Sequence, residues 1–253
     1  MSGNDHHPGD VSAGPGVRLR LLPTFELSDH GGHIRLQGGA QRLLAFLAMC
    51  QRPPHRSLVA TRLWADLPDE RSSAALRTSL WQVRRAAPHV VVDHHSHLRL
   101  CGSVEVDVHE AARWLRLLET GERTERHLPD CLSHDLLPDW PDEWAVIERE
   151  RFRQIRLHAL ETLCRRLTQA GEHRCAIEVG LSAVAADPLR ETAQRVLIEA
   201  HIAEGNLSEA VRQYRSYSRM LHLELGVEPT VLLTALLPRA AHAHSAGRIA
   251  ARR

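Results

Sequence analysis

The sequence predicts a mainly α-helical protein: an N-terminal winged helix-turn-helix with a small β-sheet and a wing, followed by an all-α, tetratricopeptide-like domain. Three observations point there. Residues 71–87, RSSAALRTSLWQVRRAA, place Leu76, Leu80, Val83 and Ala87 on one helical face and Thr78, Gln82 and Arg85 roughly opposite. Two β-like runs, residues 90–93 and 98–100, come directly after it, split by His94-His95-Ser96-His97. In the C-terminal half, Leu163 and Leu197, Gly171 and Gly205, and Ala176 and Ala210 recur with a period of 34 residues, that of the tetratricopeptide repeat.

Residues 1–16, rich in Gly, Pro and Asp, read as a tail. Residues 18–22 and 24–27 read as strands, and Gly31-Gly32 offers a tight turn into a third at 33–36. A helix over 39–51 buries Leu43, Leu44, Leu47 and Ala48 and stops before Pro53-Pro54. Ser57 is placed to cap a second helix carrying Leu58, Leu63 and a core Trp64; residues 66–69 form a loop. Ser72 or Ser73 is placed to cap the 71–87 helix, about 25 Å long and so able to cross a major groove. Strands, three helices and a terminal hairpin within one short segment is the layout of a winged helix. From Glu105 the pattern reads as helical throughout: residues 107–120, a looser connection over 121–139, and a long helix over 142–170 onto which Trp140 and Trp144 anchor the repeats. Pro188 closes the first repeat, whereas Pro229 is displaced by seven residues, so the last helix should be about two turns longer than its partner. The expected domains are therefore 17–104 and 105–240, with a second tail at 241–253.

The chain has 253 residues, 43% of them hydrophobic and 25% charged, as in a soluble globular protein of two domains. All 32 cationic residues are Arg. The net charge of +1 conceals an asymmetry: residues 17–104 hold 12 Arg against 6 acids, and residues 105–253 hold 20 against 23. Five scattered cysteines form no CxxC pair, which suits reduced, structural thiols. The start lacks a basic region followed by an apolar one, and the longest apolar run, residues 43–50, is too short for a bilayer, so a cytoplasmic protein without membrane contact is expected.

The outward residues of the 71–87 helix are the candidate DNA site. Thr78 and Gln82 face away from the apolar stripe, Gln82 with an amide suited to adenine. Arg77 and Arg85 suit phosphate, and Arg71 opens the same helix. On the hairpin, His94, His95 and Arg99 are the candidate backbone contacts. Trp81 also points outward; packing against the preceding helix is its expected role, with a DNA sugar edge, a second protomer or the second domain as alternatives. The His94, His95, His97 cluster and His134-Asp135 lack the further ligands a metal site needs. No paired carboxylates, nucleophile elbow or phosphate loop stands out, so no catalysis, metal or cofactor is expected.

With both halves placed, the chain resembles the SARP family, antibiotic regulatory proteins that join an OmpR-type winged helix to a bacterial transcriptional activator domain. The resemblance rests on RLRLLPTFEL, LVATRLW and ALRTSLWQVRRA in the first half. In the second it rests on VEVDVHEAARW, LLPDWPDEWAVIERERFRQIRLHALETL and ADPLRETAQRVLIEAHIAEGNLSEAVRQYRSYSRMLHLELGVEP. It implies an activator that binds direct repeats in double-stranded DNA near promoters, as adjacent protomers, and contacts RNA polymerase through its sigma or alpha subunit. It also implies a secondary-metabolite gene cluster as the target, and it adds Ser79 and Arg84 to the DNA contacts. Many relatives end the wing with Gly-Tyr; His97-Leu98 stands here instead. The rival reading, favoured by that wing and the modest net charge, is a protein-interaction scaffold with a degenerate winged helix.

Overall fold

The computed structural model of the chain describes residues 16–120 and 129–237. The expected tails, Gly16 apart, and residues 121–128 of the expected connection lie outside them. Two compact units result: one takes the chain up to Glu110 together with His134–Glu150, the other takes Ala111–Ser133 and the chain from Arg151 onward. Mainly helical with a small N-terminal sheet, the chain has the expected fold class.

In the first unit, β1 (Arg18–Arg20), β2 (Glu26–Asp29) and β3 (Gly32–His33) form an antiparallel meander. Next come three helices: α1 (Gly38–Met49), α2 (Arg56–Leu63) and α3 (Asp69–Ala86). The hairpin is β4 (Val91–His94) and β5 (His97–Leu100). The chain then returns as β6 (Glu105–Val106), which pairs parallel to β1 with Leu19 opposite Val106 and completes a sheet of order β3-β2-β1-β6. The expectation of helix from Glu105 onward is thus corrected by two residues. Two residues are too few to show a strand period, and their pairing is set from the far end of the unit.

The segment after β6 closes the unit chemically. Asp107 opens α4 (Asp107–Thr120), and its buried carboxylate accepts hydrogen bonds from the backbone N–H groups of Leu21 (2.9 Å), Leu22 (2.9 Å) and Val108 (2.8 Å). Residues 134–150 also belong here. Leu137 donates its N–H to the Leu21 carbonyl, Arg42 pairs with Asp142, and the Arg149 guanidinium donates to the carbonyls of Leu136, Leu137 and Trp140. Trp140 stacks on Phe25 at 6.2 Å and Trp144 meets Phe46 edge-on at 5.4 Å. The two tryptophans therefore pack on the residue before β2 and on α1 rather than anchoring the repeats, as the sequence suggested. These partners are more than 90 residues away in the chain, beyond any periodicity.

The apolar stripe of α3 is buried as expected: Leu76, Leu80, Val83 and Ala87 lie inside with Leu43, Leu44 and Leu98. Each full burial of a Leu or Val is worth about 1.5–3 kcal/mol, enough to fix which face of α3 is left outside. The expected serine caps are not used. α3 starts at Asp69 after Pro68, with Asp69 and Glu70 complementing the dipole of its first turn, and the Ser72 hydroxyl donates back to the Asp69 carbonyl. At α2 the cap is His55, whose Nδ1 accepts from the Ser57 N–H, so Ser57 is the capped residue and not the cap.

The second unit holds the rest of α4, a 3₁₀ turn at Asp130–Leu132, most of α5 (Glu143–Gln169), then α6 (His173–Ala186), α7 (Glu191–Ala203), α8 (Leu207–Leu225) and the short α9 (Val231–Thr234). The 34-residue period has a structural meaning. Gly171 and Gly205 both take positive φ, +76° and +86°, in the turns before α6 and α8. Ala176 and Ala210 are both fully buried in those helices, and Leu163 and Leu197 are both core. α8 has 19 residues against 14 in α6, nearer one and a half turns longer than two. Ile198, Ala210, Tyr214, Tyr217, Leu221, Leu233 and Leu237 form its terminal core.

Gly180 on α6 has no room to spare. A Cβ built there would lie 3.1 Å from Leu197 Cδ1, 3.3 Å from Leu197 Cα and 3.3 Å from Cys164 Sγ. Alanine would gain about 1 kcal/mol of helix propensity. Backbone cannot yield as a flexible side chain does, and overpacking of this kind costs about 1–3 kcal/mol. Gly180→Ala is therefore expected to lower the unfolding midpoint in urea, and a raised midpoint would show that α7 can move away from α6. Burial also pushes the Cys164 thiol up to about 12 and Cys50 up to about 11, and none of the five cysteines is in a disulfide.

Candidate nucleic-acid interface

The face of α3 turned away from the core is cationic. Arg71, Arg77, Thr78, Trp81, Arg84 and Arg85 are exposed on it, Gln82 is half-buried, and from Arg71 to its end the helix carries no acid. Several of these side chains are already engaged. The Thr78 hydroxyl donates to the Ala74 carbonyl at 3.1 Å, which leaves its methyl and lone pairs outward. Gln82 Nε2 donates to Gln37 Oε1 at 2.6 Å, tying α3 to the residue that precedes α1. The Arg85 guanidinium lies 5.3 Å from the centroid of the Trp81 ring.

Ser79 does not belong to this face. It is 4% exposed, and a Cβ on Gly39 would come within 2.9 Å of its hydroxyl oxygen, so it lies against the start of α1. The assignment of Ser79 as a DNA contact is corrected. The physical reason lies in the helix itself: Ser79 stands three residues after Leu76 and four before Val83, on the apolar stripe. Trp81 is corrected in the opposite sense. At 58% exposure it is not packed on the preceding helix but stands open.

The wing is short and firmly held. In β4 and β5, Asp93 faces Leu98 and His94 faces His97, leaving a two-residue turn of His95 and Ser96 with φ of +48° and +64°. That is the backbone of a type I′ turn, which matches strand twist and usually takes Asn-Gly. Its tip is tied to the loop before α2: Arg56 N–H donates to the Ser96 carbonyl at 2.8 Å, Leu98 N–H donates to the Pro54 carbonyl at 2.9 Å, and His55 bridges His97. Asp93 joins three elements. Its Oδ2 is 2.7 Å from Arg56 Nη1 on α2 and 3.5 Å from Arg84 Nη2 on α3. Arg84 is thereby partly spoken for, whereas Arg71 and Arg77 have no carboxylate partner among the described residues.

His94 and His95 stand exposed at the tip, their rings edge-to-face at 4.1 Å, and Arg99 is exposed on β5 next to the fully buried Leu98. Arg56, Asp93 and Gln37, which fix the geometry of this surface, carry no sequence signal, because each acts through a partner at least 37 residues away. Among the described residues no group of three or more His, Cys, Asp or Glu could hold a metal ion, and no helix is long and apolar enough to cross a membrane.

Part of the chain matches a known domain family. Residues 133–239 match the bacterial transcriptional activator domain. Over 180 residues the chain is 29% identical to the regulatory protein AfsR of Streptomyces coelicolor, covering 66% of this chain and 18% of AfsR. These matches support a transcriptional regulator of the SARP type. It is also 32% identical over 105 residues to AfsR of Streptomyces griseus, covering 42% of this chain and 11% of that protein, so it spans less than a fifth of the length of either curated relative. A solved structure of Mycobacterium tuberculosis EmbR in complex with a low-affinity phosphopeptide superposes with a TM-score of 0.68 at 20% identity, over 94% of this chain and 71% of EmbR. That likeness establishes the fold, a winged helix followed by a helical domain. The SARP family is one of regulators, not of enzymes. The matched activator domain begins at residue 133, later than the boundary of 105 expected for the second domain.

Proposed function

We propose that this chain is a cytoplasmic transcriptional activator that lays α3 in the major groove of double-stranded DNA and sets the wing over the neighbouring backbone. The observation that carries this reading is the acid-free outer face of α3, with Arg71, Arg77, Arg84 and Arg85, flanked by a wing bearing Arg99, His94 and His95. Arg71, Arg77, Arg85 and Arg99 hold phosphates, and Gln82 exchanges Gln37 for a base edge, adenine by its donor and acceptor pattern. Protomers occupy direct repeats head to tail and bind cooperatively. The helical domain contacts RNA polymerase through its sigma or alpha subunit, and the target is a secondary-metabolite gene cluster, in keeping with the AfsR and activator-domain matches.

Selection of duplexes from a random library by the purified chain tests this. Enrichment of a repeated motif is expected. With about four phosphates neutralised, log affinity should fall with log salt at a slope of about −3.6, a loss of roughly 150-fold between 50 and 200 mM. No enrichment together with a flat salt response would overturn it. The scaffold reading would then take its place, favoured by Leu223, Leu225, Val227, Val231 and Leu232, all at least half exposed around the end of α8.

A further inference from the structure

The centre of the exposed α3 face is aromatic, not cationic. Each residue turns a helix by about 100°, so Trp81 lies about 40° from Arg77 on one side and about 40° from Arg85 on the other, with Arg84 and Thr78 beyond them. The side chain that projects furthest toward a surface facing this helix is therefore an indole. A tryptophan left more than half open forfeits much of the stabilisation its ring gains on burial. Arg85 stacks on the ring and so fixes the indole's orientation, while the edge N–H groups of a stacked guanidinium stay available for phosphate.

The polar neighbours on this face are engaged elsewhere: Thr78 with Ala74, Gln82 with Gln37, and Arg84 with Asp93. At the centre an apolar plane stands clear, ringed by cations. On the floor of the major groove one base feature is apolar and protrudes, the C5-methyl of thymine. We infer that Trp81 is a specificity-determining residue that packs its indole on a thymine methyl, with Arg85 as the residue that holds the ring in place. This rests on the DNA-binding reading above and assigns the centre of that same surface.

One methyl separates thymine from uracil, and this makes the test sharp. In a duplex selected by the wild-type chain, each thymine is replaced in turn by deoxyuridine, and binding is measured for wild type, Trp81→Ala and Trp81→Phe. At one thymine per repeat the loss of the methyl should weaken wild-type binding about fourfold. Trp81→Ala should bind the two forms equally while keeping the wild-type salt slope and unfolding midpoint, and Trp81→Phe should retain part of the preference. If wild type distinguishes thymine from uracil nowhere, or if Trp81→Ala keeps the same ratio, the inference fails while the regulator reading stands. If no duplex is enriched at all, both fall.

Discussion

With Arg77 and Arg85 both replaced by alanine, affinity for a selected duplex is expected to fall by about 100-fold or more, and the salt slope to flatten by about 1.8. The two cations lie on either side of Trp81, neither has a carboxylate partner among the described residues, and both are open to solvent. Phosphate contacts carry no sequence information, so the loss should be similar for selected and scrambled duplexes. Arg84→Ala should cost less, since Asp93 already draws its charge toward the wing at 3.5 Å. Fluorescence anisotropy at several salt concentrations measures all three. An unchanged slope for the double variant would remove α3 from the interface, and an unchanged unfolding midpoint excludes misfolding as the cause of any loss.

The surface those arginines share was legible because α3 obeys one period over its whole length. Leu76, Leu80 and Val83 are buried at that period, and the same rotation that puts them inside puts Arg77, Thr78 and Arg85 outside. Ser79 shows what happens when a family pattern is set above that rotation: the pattern makes it a DNA contact, the helix makes it a core residue against Gly39. Trp81 errs the other way, since residue type suggests burial while its place next to Leu80 turns it outward. The glycine pair at 171 and 205 was legible for a different reason. Both positions need a left-handed backbone, so the constraint leaves its mark on the sequence at a fixed spacing.

Contacts that join distant segments without a period of their own left no such mark. β6 is two residues long and becomes a strand only because β1 offers an edge. Residues 134–150 read as the end of a loose connection and the start of a long helix, and they join the first unit because Phe25 and Phe46 receive Trp140 and Trp144. The wing's grip on the loop before α2 depends on Arg56 meeting Asp93, a pairing with no local signature.

The largest stability effect in the first unit should come from Asp107. Its carboxylate takes three backbone N–H groups, two of them from Leu21 and Leu22 just past the end of β1, and the residue is only 9% exposed. Asp107→Ala leaves those donors without an acceptor, and each buried unpaired group costs about 1–3 kcal/mol, for a total of about 3–9 kcal/mol. A domain of this size is stable by about 5–15 kcal/mol, so the variant should be partly unfolded at 37 °C. Asp107→Asn keeps one oxygen for Leu21 and Leu22 but turns an N–H₂ toward Val108, and should fall between. Burial is the main influence on this carboxyl and lifts its pKa above the ordinary 3.8, against the opposing pull of the Leu21, Leu22 and Val108 N–H groups. The folded chain then holds that proton more tightly than the unfolded one. The group's titration contribution is accordingly greatest below pH 3.8 and declines as pH rises through the folded value. Urea unfolding of wild type and Asp107→Asn across that range should show the wild-type advantage shrinking toward neutral pH. An advantage that grows instead would mean the three N–H groups outweigh burial, and would make Asp107 an anion-stabilised cap.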